Sequence, residues 1–396
     1  MKILIVSQRY WPEPFRITDI AESLVSSGHQ VTVLTGLPNV HNNGCVLGEY
    51  THGNNRIQEH NGVKIIRVKE IGRRSNIFFR FLNYWSFSHY GKKYVKKLKE
   101  DFDVVLINQL SPIIMAIPGL EHARRNNKKV VMYEMDLWPE SLLAGGITNK
   151  SLIYKHYKKV SSKIYSQCDK ILVSTKEHIK YIKALPNCSN LDIEYLPQYA
   201  ESIFEDGDFK TIDNGVIDLM FAGNIGKAQS VDTIIRAAAL LKNDPRFKFH
   251  IVGSGSELEN VKKLAKELKT DNVIFYGQKP LSEMPELYKF ADAMLVTLED
   301  KPYANMTIPG KVQSYMAAGK PIIGAINGAT ANFIIDNHIG FCCNAEDYKC
   351  LSNIIKELDL EIIEDKGITA KKIYSSILNK KKFISILVEE LKSLCN

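Results

Sequence analysis

The feature that most constrains this 396-residue chain is an alternation of short apolar runs with amphipathic stretches, which completes one course and then restarts. Runs rich in Val, Ile and Leu, bounded by turn residues and spaced by helical patterns, mark strands buried on both faces of a parallel sheet. In the first half they fall at residues 2–7 (KILIVS), 30–35 (QVTVLT), 103–108 (DVVLIN), 129–135 (KVVMYEM) and 170–175 (KILVST), with a helical stretch at 18–27. Residues 56–68 read as a hairpin that turns at Asn61-Gly62, a dipeptide suited to the left-handed backbone of a two-residue turn. The second course places strands at 217–223, 247–253, 272–277 and 292–298, with a helix at 230–241. The fold class is therefore α/β, with two doubly wound units in tandem: a first domain at 1–198 and a second at 199–377, joined by a linker at 195–209. Residues 378–396 carry Phe383, Leu387, Val388 and Leu391 at helical spacing, a helix able to cap either domain.

Length agrees with this division, because single cores stop growing well below 396 residues. An apolar fraction of 45% with 24% charged residues excludes a disordered chain. No apolar run approaches the ~18–20 residues that cross a bilayer. The opening MKILIVSQRYWPEP is too short in its apolar part for a signal peptide and reads as a strand entering a Pro-marked loop. Seven cysteines without a C-x-x-C pair fit reduced thiols better than a disulfide framework or a zinc site. The expectation is a cytoplasmic protein, or one peripheral on the inner face of the cytoplasmic membrane.

The net charge of +8 is uneven: residues 1–198 hold 28 Lys and Arg against 17 Asp and Glu, whereas the rest of the chain is slightly acidic. Such asymmetry implies an anionic partner or surface for the first domain. Residues 73–99 account for much of it, with eight Lys or Arg, no acid, and Phe78, Phe81, Leu82 and Trp85 at helical spacing. Two readings stand. Either a helix packs this aromatic stripe into the core, or the segment lies at an interface where its cations meet anionic lipid. Nucleic acid is not expected as a partner, since no nucleic-acid-binding fold accompanies the basic run.

Ligands of parallel sheets bind beyond the carboxyl ends of the strands. Three loops of the second domain have the composition for it. FAGNIGKAQSVDTI (221–234) offers Gly223, Asn224, Gly226 and Lys227; VGSGSELE (252–259) offers Gly253 and Gly255 but lacks the third glycine of a dinucleotide fingerprint. TIPGKVQSYMAAGKPIIG (307–324) starts a helix on Pro309, Gly310 and Lys311. Each has a structural reading as a tight turn. Gathered on one sheet edge, their amide hydrogens with Lys227 and Lys311 make a pyrophosphate seat.

In order and spacing these stretches, together with SGHQVTVLT, NVIFYGQK and FADAMLVTL, resemble the family four glycosyltransferases. QRYWPEPFRITDIAE and YEMDLWPES are closest to the bacterial branch that builds capsule and O-antigen units, including N-acetyl-L-fucosamine transferases. The resemblance implies the GT-B fold, two Rossmann-like domains facing across a cleft. It implies a UDP-sugar held mainly by the second domain, a lipid-linked saccharide acceptor, and retaining transfer with neither metal nor cofactor. Gly310 and Lys311 take the diphosphate, and the base lies near Gln278 and Lys279. Two departures stand out. The family's Arg and Lys of the first loop are Asn224 and Gln229 here, and its two glutamates fall on Met306 and Ser314, leaving Gln313 or Ser314 to hold the ribose. In the first domain, Glu13 and Arg16 are expected to touch donor or sugar. Asp136, Trp138 and Glu140 are expected to form an acceptor platform, with Asp136 as positioning group, as base, or as a mere cap on the next turn. The D-x-D strings at Asp101–Asp103 and Asp206–Asp208 read as structural. A catalytically silent nucleotide-sugar-binding subunit and a nucleotide-sugar epimerase of the same fold are the alternatives.

Overall fold

Strands buried on both faces need neighbours on both edges, and the computed structural model, which describes residues 1–39, 44–72, 77–210 and 214–395, gives them. The first sheet contains β1 (Lys2–Val6), β2 (Gln30–Thr35), β3 (Ile57–His60), β4 (Val63–Arg67), β5 (Val104–Gln109), β6 (Lys129–Glu134), β7 (Lys170–Val173) and β8 (Ile193–Tyr195). Their order is β3-β4-β2-β1-β5-β6-β7-β8, and only β3 runs antiparallel, through the hairpin whose turn holds Asn61 and Gly62 at positive φ. The second sheet contains β9 (Ile217–Ala222), β10 (Phe247–Val252), β11 (Val273–Gly277), β12 (Ala293–Thr297), β13 (Ile322–Ala325) and β14 (Gly340–Cys343), all parallel, in the order β11-β10-β9-β12-β13-β14. In each sheet the chain leaves the first strand to one side and later returns to its other edge. That reversal opens a crevice at the carboxyl ends, between β1 and β5 and between β9 and β12.

The chain divides into residues 1–196 with 384–396, and residues 197–383. The closing helix, Lys380–Ser393, buries Phe383, Leu387 and Leu391, as its spacing requires. From Ile384 onward it groups with the first unit. One reason is Lys170, whose buried ammonium meets Asp192, Glu194 and Glu390 together. Three short strands, β8, β13 and β14, carry no sequence signal long enough to separate them from loop.

The helix expected within 73–99 runs from Ile77 to Val95, and its buried face corrects the aromatic-stripe reading. Asn83, Ser86, Phe87 and Val95 face the core, Phe81 and Leu82 are half-buried, and Trp85 is 53% exposed, stacked on His89. A polar residue wins the inner position because Glu70 is buried and needs donors. Asn83 Nδ2 and Gln8 Nε2 donate to it, and Arg9 pairs with it at 3.2 Å. Arg73 and Arg74 lie outside the described residues, and so does the side chain of Phe78. Among the described residues no helix is long and apolar enough to cross a membrane.

Candidate active site at the carboxyl edge of the second sheet

β9, β10 and β11 each end in a loop, and the three loops are stacked backbone on backbone. Gly223 N–H donates to the Val252 carbonyl at 2.9 Å, Gly253 N–H to Gly277 at 2.8 Å, and Ile225 N–H to Ser254 at 2.8 Å. Glycine is required at the centre of this stack: Gly223 and Gly253 have φ of +146° and +144°, and a Cβ on Gly253 would lie 1.8 Å from the Gly223 carbonyl oxygen. Over the stack opens a cavity of about 610 Å³, a size suited to a nucleotide. Gly223, Asn224, Gly253, Ser254, Gln278 and Lys279 line it from the loops, Lys311 and Ser314 from the helix Lys311–Ala317 that follows β12, and Gly310 from the residue before that helix. Glu201 and Phe204 enter from the segment before β9, and Leu281, Met284 and Tyr288 close the remaining side.

Lys311 dominates the electrostatics. Its ammonium sits 3.7 Å from the centre of the Phe221 ring and rests against Gly223, where a Cβ would come within 2.7 Å of Nζ. Among the described residues no carboxylate pairs with it. Burial pulls its pKa down from 10.5 to about 7, while the ring face acts in the opposite sense by favouring the cation. The helix it opens is only seven residues long, so the side chain rather than the helix end supplies the positive field. Lys279, the other cation lining the cavity, is neutralised by Glu283 at 3.0 Å. A dianion placed beside Lys311 will hold the ammonium charged. Binding of UDP above pH 7 should therefore take up close to one proton, and affinity should fall as pH rises through 7 to 9. Calorimetry in buffers of different ionisation enthalpy measures that uptake; a value of zero at pH 8.5 would remove Lys311 from the anion's surroundings.

Several sequence-derived candidates stay out of this cavity. Lys227 and Gly226 line a separate depression with Asp232, Arg236 and Glu257, so Lys227 does not converge with Lys311. Gly255 serves packing, since a Cβ there would meet the Ile225 carbonyl at 2.3 Å. Pro309 does not line the cavity, and Gln313 is buried, with its amide turned back on the Pro309 and Gly310 carbonyls. Asn224 and Gln229, which replace two family cations, bond to each other at 3.0 Å, and Gln229 also accepts the Gly226 N–H. They brace the loop and bring no charge.

In the first unit the acceptor platform needs correction. Trp138 is 3% exposed: its indole N–H donates to Ser111 Oγ and its ring packs on Tyr157, leaving no face for a sugar. Glu140 is equally buried and accepts from the Tyr154 hydroxyl. Glu13 is buried and accepts the Asn39 N–H, which fixes the loop after β2. Asp136 is half-buried and accepts the Ser111 N–H at 2.7 Å, so it ties two strand-end loops together, and among the described residues it accepts no N–H of the following turn. Arg16 is half-buried at the first position of the helix Arg16–Ser26. Asp101 pairs with Lys128, and Asp103 accepts the Lys2 N–H. Among the described residues no three His, Cys, Asp or Glu side chains are grouped to hold a metal.

Glu201, Ser254 and Tyr288 line the cavity without having been singled out by sequence. Glu201 sits in what reads as linker, and the only hint toward it was the missing carboxylate at positions 306 and 314.

Two doubly wound parallel sheets in tandem, the second opening a cation-bearing cavity at its carboxyl edge, define the GT-B glycosyltransferase fold. Residues 203–371, which lie within the second unit, match the family Glycosyl transferases group 1. Relatives agree. WbjE of Pseudomonas aeruginosa, named as a glycosyltransferase, is 29% identical over 68% of this chain and 70% of its own. WcaI of Escherichia coli (strain K12), named for colanic acid biosynthesis, is 24% identical over 81% of this chain and 82% of its own. Among solved structures, Anabaena HepE in complex with UDP-glucose shares the fold at a TM-score of 0.71 and 14% identity, covering 100% of both chains.

Proposed function

We propose that this protein transfers a sugar, an N-acetylated deoxyhexosamine, from a UDP-sugar to a lipid-linked saccharide in the assembly of a capsule or O-antigen polysaccharide. The observation that carries the reading is the ammonium of Lys311, without an ion-pair partner among the described residues, inside a nucleotide-sized cavity floored by glycine backbone. The name of WcaI and the UDP-glucose held by HepE support a surface polysaccharide and a uridine nucleotide. Transfer breaks the bond between the anomeric carbon and the diphosphate oxygen, and Lys311 stabilises the charge that develops on that oxygen without a metal. The acceptor hydroxyl attacks on the same face, so configuration is retained, and its proton passes to the departing diphosphate. Asp136, with one oxygen held by Ser111, positions the acceptor side and is not the base. The membrane reading also stays in force: Trp85 is exposed on the helix Ile77–Val95, and Lys93, Lys96, Lys97 and Lys99 are exposed at its carboxyl end and beyond. On this reading the enzyme works peripherally on the cytoplasmic face.

Incubation of the purified chain with a panel of UDP-sugars and a lipid-diphosphate-linked monosaccharide, read by mass spectrometry, tests the reaction. A product heavier by one sugar is expected. A donor altered without acceptor would identify an epimerase, and binding without turnover a silent subunit; either overturns the proposal. Flotation with anionic vesicles at low salt should carry the protein upward.

A further inference from the structure

Glu201 lies outside every loop that the sequence marks for ligand binding, yet its carboxylate is built into the cavity wall. The segment carrying it is fixed on both sides: Ala200 N–H donates to the Tyr374 hydroxyl at 3.0 Å, and Phe204 stacks on Tyr288 with centroids 4.6 Å apart. From this position Glu201 Oε2 accepts the Ser314 hydroxyl at 2.7 Å. Ser314 stands three residues beyond Lys311 on one helix, a rise of about 4.5 Å, and Glu201, Ser314 and Lys311 line the same cavity.

A negative group in an anion-binding cavity is costly unless the ligand has a second, donor-bearing part at that point, because carboxylate and phosphate repel. Carboxylates recognise neutral hydroxyls by charge-assisted O–H···O bonds. In a nucleoside diphosphate the group one helical turn's distance from the phosphates is the ribose, whose vicinal hydroxyls are donors. The sequence left this contact to Gln313 or Ser314, but Gln313 is turned back on its own helix, and Ser314 spends its proton on Glu201.

We propose that Glu201, oriented by Ser314, is the ribose-recognising carboxylate of this protein, supplied from the segment entering the second unit, and that it makes the site selective for ribonucleotides over deoxyribonucleotides. This rests on the uridine-diphosphate reading above. The test is calorimetric titration of the full chain and of Glu201→Gln with UDP, 2′-deoxy-UDP, 3′-deoxy-UDP and inorganic pyrophosphate. The wild-type protein should bind at least one deoxy analogue roughly 10–100-fold more weakly than UDP, the scale of a lost charged hydrogen bond. Glu201→Gln should lose a similar factor for UDP, bind that analogue as the wild type does, and keep or improve its affinity for pyrophosphate. Ser314→Ala should reproduce part of the loss for UDP alone. If Glu201→Gln still prefers UDP over the deoxy analogues by the wild-type factor, the assignment is wrong. Loss of pyrophosphate binding in Glu201→Gln would make the residue scaffold and also overturn it. A wild-type protein that binds UDP without discrimination sinks Glu201 and leaves the donor reading standing, whereas one that binds pyrophosphate but no uridine nucleotide sinks both.

Discussion

Lys311→Met should lower turnover by roughly two to three orders of magnitude, the cost of removing one preorganised charge from a developing oxyanion, while raising the melting temperature. The two effects have one cause. The ammonium is desolvated over Phe221 with no ion-pair partner among the described residues, a state that costs stability until an anion arrives. Methionine keeps the apolar stem on the ring and removes the charge; each kcal/mol recovered is worth about 2–4 °C in a unit of this size. The sign is checked by pH. A lysine whose pKa falls from 10.5 unfolded to about 7 folded binds fewer protons in the native state between those values. Wild-type stability therefore rises with pH across that window, and the advantage of Lys311→Met is full below pH 7 and gone above 10.5. Thermal melting at pH 6.5 and 9.5, with steady-state kinetics at saturating donor, measures both halves. Turnover within a few-fold of wild type would take Lys311 out of the transition state, and a lower melting temperature at pH 6.5 would show that the ammonium is paired after all.

Most of the architecture was legible because it rests on local periodicity. Val- and Ile-rich runs between helical stretches marked the parallel strands, and Asn61-Gly62 marked the hairpin. The glycines of the three loops were legible for a related reason: a backbone that must approach another backbone at Gly223 and Gly253 leaves a gap in the side-chain pattern. What sequence did not reveal is where side chains turn. Lys227 is four residues beyond Gly223 and yet faces another depression. Trp138 and Glu140 have carbohydrate-binding chemistry and spend it inside the first unit, on Ser111 and Tyr154. Burial decides such roles, and burial depends on partners distant in the chain. Glu201 is the same lesson reversed. Its partner Ser314 is 113 residues away, so no spacing rule joins them.

Gly253→Ala should be the most damaging single-methyl change in the second unit. The wild-type φ of +144° is a conformation that L-residues avoid, at a cost of order 1–3 kcal/mol, and a Cβ would stand 1.8 Å from the Gly223 carbonyl oxygen, where nothing is free to move. That oxygen belongs to backbone whose N–H is already committed to Val252. Relief must therefore part the loops after β9 and β10, adding an overpacking cost of about 1–3 kcal/mol and pulling Gly223 from beneath the Lys311 ammonium. Stability of the second unit should fall by roughly 2–6 kcal/mol, and UDP affinity should fall with it even at temperatures where the variant remains folded. Gly146→Ala is the proper comparison, since Gly146 has φ +85° but nothing within 4 Å of where its Cβ would stand, so only the backbone cost applies. Urea denaturation with UDP titration of both variants separates the contributions: strain alone would make the two alike in stability. A Gly253→Ala protein that binds UDP as the wild type does would mean that the stacked loops are not the floor on which the diphosphate rests.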